Sequence, residues 1–257
     1  MCVSEKLGDV YDKLDWADKH IDDLRKRIGD YFHSSPPPVT GELAFDFDRN
    51  TVDWSGIRFK PVEVSIPLTI GDAADNLRGA LDYLAGVLVR EAGNDPVKSK
   101  AHFPILETPP RDKPGATTPL RVKGGVSDDA LKIIEAVQPY NIPEWLDHPL
   151  LVVNNLANIN KHRSLLTGTK EIGDVVLTHP GIALARYAVT ISEVHDDYAE
   201  LSFTVTGRGE AETGSAAYIW VHHVEDQPVP PIDSLTKAAQ FIREHVVRPI
   251  ERICTGP

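Results

Sequence analysis

The chain has little cysteine and no long apolar run. Of its 257 residues only Cys2 and Cys254 are cysteines, one near each end, so the sequence predicts neither a disulfide framework nor a zinc site. No run approaches the roughly 18 apolar residues that a membrane span needs. The first ten residues contain no apolar core of a signal peptide. We therefore expect a soluble, cytoplasmic protein with no membrane segment.

Positive charge is also scarce. Lys and Arg number 27 against 38 Asp and Glu, which gives a formal net charge of −11. Because affinity for nucleic acid rests on many cationic phosphate contacts, this balance argues against an extended nucleic-acid surface. The sequence also lacks a Walker loop, a Rossmann glycine pattern, a nucleophile elbow and an HExxH motif. We predict no cofactor.

What the sequence does contain begins with a heptad pattern over residues 4–33. Apolar residues recur there in alternating steps of three and four, at Leu7, Val10, Leu14, Ala17, Ile21, Leu24, Ile28 and Tyr31. Such a helix either packs on its own domain or forms a dimer with a second copy. We predict a homodimer and leave both roles of the helix open.

The rest of the chain alternates between the two periodicities. Alternating apolar residues around 43–59 predict a β-hairpin, helical periodicity dominates from 66 to 170, and the period changes to two after Gly168. We predict an α+β fold: a mainly helical core with an N-terminal β-hairpin and a C-terminal antiparallel sheet, followed by a last helix. As one domain over 1–257, it comprises a heptad helix (1–35), a helical core (66–170), a β-meander (171–228) and a C-terminal helix (232–253).

One predicted core helix, near residues 68–92, carries unusually many polar side chains. Asp75, Arg78 and Asp82 stand at i, i+3 and i+7 and share a face, while Asn76 and Tyr83 lie on a neighbouring strip. Buried polar groups are costly unless they bond to each other or to a ligand. The pattern is typical either of a structural ion-pair ladder or of a binding site.

A second polar helix is predicted over residues 149–166. Asn155, Asn158 and His162 share one face there, and Lys161, His162 and Arg163 form a compact basic cluster. The cluster either caps the negative end of the helix dipole or holds an anion. We predict a site where the two polar helices meet, with a small anionic ligand such as a nucleotide or phosphate. The alternative is a metal site built from Asp72, Asp75, Asp82 and His162, although Arg78 on the same face would already neutralise the carboxylates; we predict no metal.

Four ordered segments carry a resemblance. The runs GDAADNLRGALDYLA, HFPI, QPY and NLANINKHRSLL resemble a group of uncharacterised bacterial proteins with a GD-x-x-H-N-L-R-x-A-L-D-H-L-A helix, FPI and QPY segments and an N-x-D-K-H-R helix. The R-x-x-x-x-H spacing of that group is similar to the signature of the HEPN superfamily. Those helical domains usually dimerise, and many cleave RNA without a metal.

The resemblance implies roles for particular residues. Arg78 takes the place of the phosphate-holding Arg, whereas Tyr83 stands at the His position, Asp75 at a second His and Asn160 at the Asp of the second helix. Tyr is a poor base near neutral pH. The expected function is a HEPN-like binding or regulatory protein with ligand-binding residues Asp75, Asn76, Asp82, Asn155, Asn158, Lys161 and Arg163. The alternatives are a metal-independent RNase using Arg78, His162 and Tyr83, a carboxylate-metal hydrolase and a purely structural dimer module.

Overall fold

The structure is a computed structural model of the chain. It describes residues 6–35, 39–40, 44–46, 51–53, 58–109, 126–141, 148–162, 167–172, 186–194, 198–206, 215–224, 227–229 and 231–255. Side chains are described in 6–35, 60–97, 100–109, 126–141, 148–161 and 231–253. We call the latter set the side-chain-described part.

The helices follow the apolar periodicities. In chain order they are α1 (Gly8–Phe32), α2 (Ser65–Glu91), the short α3 (Pro96–Ser99), α4 (Asp128–Ala136), α5 (Pro149–His162), α6 (Pro231–Phe241) and α7 (Arg248–Thr255). A 3-10 turn covers Pro139–Asn141, and a π-helical stretch, Ile242–Val247, joins α6 to α7. α4 begins as its sequence predicts, because the Ser127 hydroxyl accepts a hydrogen bond from the Ala130 amide at 3.3 Å.

Four helical elements close the core. α1 packs against α2, α2 against α5, α5 against α6, and α6 against α1. α1 and α2 are antiparallel, because Lys6, just before α1, pairs with Glu91 at the end of α2, while Lys13 further along α1 bonds to Asn76 nearer the start of α2. All eight heptad side chains of α1 are buried within this bundle. The apolar face of α1 therefore packs against helices of its own chain and is not available as an interface with a second copy.

The predicted α+β fold class is wrong. Of the side-chain-described part, 79% of residues are helical and none lies in a strand. The physical reason is that the apolar faces of α1, α2, α5 and α6 cover one another, with Phe103 fully buried among them, so in the side-chain-described part helices form the core. The side chains of the predicted N-terminal hairpin and C-terminal sheet lie outside the described residues.

Strands occur in segments of which the structure describes the backbone alone. They are β1 (Val39–Thr40), β2 (Ala44–Asp46), β3 (Thr51–Asp53), β4 (Arg58–Phe59), β5 (Thr167–Ile172), β6 (Arg186–Val194), β7 (Tyr198–Thr206), β8 (Ser215–Val224) and β9 (Gln227–Val229). β1 pairs with β4 and β2 with β3, and the remaining strands lie in the order β5-β8-β7-β6 with β9 also beside β8, all antiparallel.

The C-terminal helical segment runs past a proline. Helical structure continues from α6 through the π-helical stretch into α7, with Pro249 near the start of α7. Pro249 lies two residues after the π-helical stretch, at the point where the wider π-helical turns give way to α7.

Candidate functional site

The polar face of α2 holds the backbone of a neighbouring loop. Arg78 donates from a terminal guanidinium nitrogen to the Phe103 carbonyl at 2.8 Å, and the Phe103 amide donates to the Asp82 carboxylate at 2.9 Å. Arg78 and Asp82 are also ion-paired at 3.1 Å, and the Arg78 side chain is only 13% exposed. Both side chains that the sequence places at the centre of the site are thus bonded to Phe103, whose ring fills the core.

The same loop is held from its other side by a buried glutamine. Gln138 is fully buried; its amide nitrogen donates to the Pro104 carbonyl at 3.1 Å and to the Ile134 carbonyl at 2.9 Å. Its amide oxygen accepts from the Leu106 amide at 3.0 Å. The HFPI and QPY segments therefore meet, and Arg78, Asp82 and Gln138 together satisfy backbone groups that burial would otherwise leave unpaired. We call this arrangement the loop clamp.

The second polar contact joins α2 to α5. The Asn160 side-chain amide donates to the Asp75 carboxylate at 2.8 Å, and the same amide lies against Gly71, where an added Cβ would come within 2.3 Å of it. The other carboxylate oxygen of Asp75 is buried and has no hydrogen-bond partner among the described residues. Of the predicted Asp–Arg–Asp network, only the Arg78–Asp82 half is present; Asp75 bonds to α5 instead. We call the contact of Gly71 and Asp75 with Asn160 the helix seam.

The other predicted residues lie around these two contacts. Asn76 accepts from Lys13 at 3.1 Å and donates to the carbonyl of Asp72 at 2.8 Å, so it links α2 to α1. Tyr83 is 46% exposed. On α5, Asn155 is half-buried, whereas Asn158 and Lys161 are exposed. The side chain of His162 and all of Arg163 lie outside the described residues.

A buried histidine at the start of α5 is absent from the set of residues that the sequence singles out. His148 is 2% exposed; its Nδ1 accepts from the Leu150 amide at 3.2 Å, and its ring meets Phe241 edge-on with centroids 5.1 Å apart. Because Nδ1 is an acceptor, the neutral ring carries its proton on Nε2, which has no partner among the described residues. Burial lowers the pKa of His148 from 6.5 to about 4. The sequence signal that could have pointed to His148 is its position directly before Pro149, where α5 begins.

Two tyrosines donate hydrogen bonds to carboxylates elsewhere in the structure. Tyr11 of α1 donates to Glu251 of α7 at 2.7 Å, and burial together with this bond raises its pKa to about 12. Tyr140 donates to Glu135, and burial again leads the causes that raise its pKa. Both phenols stay protonated near neutral pH, so they act as hydrogen-bond donors and not as bases.

The described part contains neither a membrane-length apolar helix nor a metal-type cluster. No helix in it is long and apolar enough to cross a membrane. No group of three or more His, Cys, Asp or Glu side chains in it is arranged to hold a metal ion. Within these residues Asp75 and Asp82 are turned to different partners, Asn160 and Phe103, instead of converging on one point.

Comparison with protein-family models, with curated proteins and with solved structures gives no match. The function of the chain is therefore inferred from the contacts at the helix seam and the loop clamp.

Proposed function

We propose that this chain is a HEPN-like helical binding module that holds a nucleotide at the helix seam and does not cleave RNA. The observation that carries this proposal is the Asp75–Asn160 pair. One carboxylate oxygen of Asp75 accepts from Asn160, and the other is buried with no partner among the described residues.

A buried carboxylate oxygen without a donor is costly, by about 1–3 kcal/mol or more for a charged group. A ligand that brings an N–H group to this oxygen recovers that cost. The exocyclic amino group of a nucleobase is such a donor, and carboxylate side chains accept from these groups in nucleic-acid recognition. The unpaired oxygen of Asp75 thus favours the base end of a nucleotide over a bare phosphate.

The phosphate end has cationic partners at the same end of α5. Lys161, directly after Asn160, is exposed, and His162 and Arg163 follow it in the sequence. A nucleotide carries both an N–H donor and an anion, so it complements the carboxylate and the basic cluster together. Because the Asp75 oxygen is closed to solvent, entry requires the last turn of α5 to shift. We therefore expect association slower than the typical range of about 10⁵–10⁷ per molar per second.

Binding without cleavage follows from the loop clamp. In the resemblance Arg78 would hold a phosphate, but its guanidinium is bonded to the Phe103 carbonyl and to Asp82 and its side chain is 13% exposed. Freeing it would leave a buried carbonyl and a carboxylate unpaired. Tyr83 stands at the expected base position, and a phenol is a poor base near neutral pH. Neither group is poised for proton transfer at a ribose hydroxyl.

The test is isothermal titration of the full chain with ATP, GTP, CTP, UTP and inorganic phosphate. We expect a base-containing ligand to bind and phosphate alone to bind at least about tenfold more weakly, which is the effect of losing one charge-assisted hydrogen bond. Asp75→Asn is expected to reduce the advantage of nucleotides over inorganic phosphate, and Lys161→Ala is expected to weaken the binding of all nucleotides. Lys132→Ala, which removes another exposed lysine, from α4, is the matched control and should bind as the original chain does.

Two outcomes would contradict the proposal. If no nucleotide gives a binding signal, the chain does not hold a nucleotide at the helix seam. If phosphate binds as tightly as ATP, Asp75 has no role in binding. Incubation with labelled RNA, with and without EDTA, tests the absence of catalysis. Cleavage that survives EDTA and is lost in Arg78→Ala would restore the metal-independent RNase, whereas cleavage that EDTA stops would favour the carboxylate-metal alternative.

A further inference from the structure

A groove separate from the helix seam lies between α1 and the C-terminal helical segment. Its volume is about 380 Å³, and its lining comes from α1, α6, the π-helical stretch and α7. This volume lies within the range of about 300–1,000 Å³ that is usual for small-molecule sites. We call it the charged groove.

The charges in this groove balance, unlike those of the whole chain. Three arginines and three carboxylates line it, Arg25, Arg243 and Arg248 with Asp18, Asp22 and Glu244. The chain as a whole has a formal net charge of −11. All three cations are arginines, the side chain whose planar fork suits carboxylate and phosphate groups. The groove is therefore a local concentration of guanidinium groups in an acidic protein.

The existing ion pairs differ in how tightly they are held. Arg243 is paired with both Asp15, at 3.1 Å, and Asp18, and therefore ties the π-helical stretch to α1. Arg25 pairs with Asp22 at 2.8 Å. Arg248 and Glu244 are 4.0 Å apart and their side chains are 61% and 43% exposed. The Arg248–Glu244 pair is at the limit of contact, so both groups are able to take a ligand at small cost.

The backbone at this groove is also unusual. Arg243 and Glu244 belong to the π-helical stretch Ile242–Val247. π-helical turns are rare, and those inserted in α-helices are frequent at functional sites. The stretch is an observation independent of the charges, and it coincides with the groove.

We propose that the charged groove binds a zwitterionic small molecule of the amino-acid class. A purely anionic ligand would meet three carboxylates, and a purely cationic one would meet three guanidinium groups. A ligand with one charge of each sign pairs with both. The carboxylate of the ligand bonds to Arg248, its ammonium group bonds to Glu244, and Arg243 remains the link between the helices.

The test is isothermal titration of the full chain with the standard amino acids. Single-charge analogues of each binder, the deaminated carboxylate and the decarboxylated amine, are titrated alongside. We expect at least one amino acid to bind and both analogues to bind at least about tenfold more weakly, because each loses one charge-assisted contact. Arg248→Ala should weaken the binding of the amino acid by about tenfold or more. Arg252→Ala, one turn further along α7 and outside the groove lining, is the matched control and should leave binding unchanged.

Three results would overturn the proposal. They are no binding by any amino acid, binding of a single-charge analogue as tight as that of the parent, and unchanged binding in Arg248→Ala. Because Arg248 is largely exposed, its replacement leaves the core intact, and an unchanged unfolding midpoint would show this. Nucleotide binding at the helix seam bears on none of these results, since no residue of α2 or α5 lines the charged groove.

Discussion

The helix seam makes a sharp prediction about three glycines of one helix. Gly71, Gly79 and Gly86 all lie within α2, and in a helix interior alanine is favoured over glycine by about 1 kcal/mol. At Gly71, however, the Cβ of an alanine would lie 2.3 Å from the Asn160 amide oxygen and 2.7 Å from its nitrogen. We expect Gly71→Ala to destabilise the chain although helix propensity alone favours it.

The size of the effect follows from what Asn160 must give up. Moving the amide breaks its bond to Asp75, which leaves a buried polar group unpaired at a cost of about 1–3 kcal/mol. Forcing a packed side chain aside costs about 1–3 kcal/mol more. After the helix gain of about 1 kcal/mol is subtracted, the expected loss is about 3 kcal/mol. For a chain of this size that lowers the melting temperature by about 6–12 °C.

The assay is urea unfolding followed by circular dichroism, with the other two glycines as controls. At Gly79 the new Cβ would lie 3.6 Å from the Lys13 side chain, and at Gly86 it would lie 3.9 Å from Pro96. Both are ordinary contacts, so Gly79→Ala and Gly86→Ala should leave stability unchanged or raise it by up to about 1 kcal/mol. The double variant Gly71→Ala with Asn160→Ala should be at least as stable as Asn160→Ala alone, because the clash is gone and the helix gain remains.

Two results would refute this reasoning. If Gly71→Ala unfolds at the same urea concentration as Gly79→Ala, Asn160 moves without cost and the helix seam contributes nothing to stability. If the double variant is instead the least stable of the set, the loss arises elsewhere and not from the clash with Asn160.

Three further changes test other buried polar groups by the same unfolding assay. Gln138→Leu should cost about 2–4 kcal/mol and make the 103–106 loop a site of rapid proteolysis, because buried backbone groups lose their partners; a protected loop would contradict the clamp. The free energy of unfolding of the original chain should fall by up to about 3 kcal/mol as the pH falls from 6.5 to 4, because His148 is held neutral in the folded state but is protonated in the unfolded state. The free energy of unfolding of His148→Asn should fall less over the same range. Asp82→Ala should cost about 2–4 kcal/mol by leaving the Phe103 amide unpaired, and a neutral result would show that water replaces the carboxylate.

Helix positions were predictable because burial in a helix follows a simple period. The heptad pattern over residues 4–33 predicts a helix, and α1 covers Gly8–Phe32; Ser127 predicts the start of α4 through its side-chain cap. Of the polar residues of α2 that the sequence singles out, Asp75, Arg78 and Asp82 each bond to a partner outside α2. The apolar period and the side-chain cap depend on residues close together in sequence, which is why a single sequence contains them.

What those polar residues bond to was not predictable. Arg78 and Asp82 are spaced like an ion-pair ladder, yet their main partner is the backbone of Phe103, 25 and 21 residues further on. Asp75 accepts a hydrogen bond from Asn160, which is 85 residues away in the sequence. Backbone partners leave no side-chain signature, so the sequence located the polar surface but not its contacts. The same limit explains the fold-class error, because alternating apolar residues say nothing about whether strands share the helical core.

The loop clamp also supplies two independent reporters of how the helices open. The Phe103 amide donates to a side chain of α2, and the Leu106 amide donates to Gln138, which follows α4. Amide hydrogens exchange with solvent only when such bonds open. Exchange at Phe103 therefore measures detachment of the loop from α2, and exchange at Leu106 measures its detachment from the α4 side. Equal rates would mean that the bundle opens in one cooperative event, and unequal rates would show which helix leaves first.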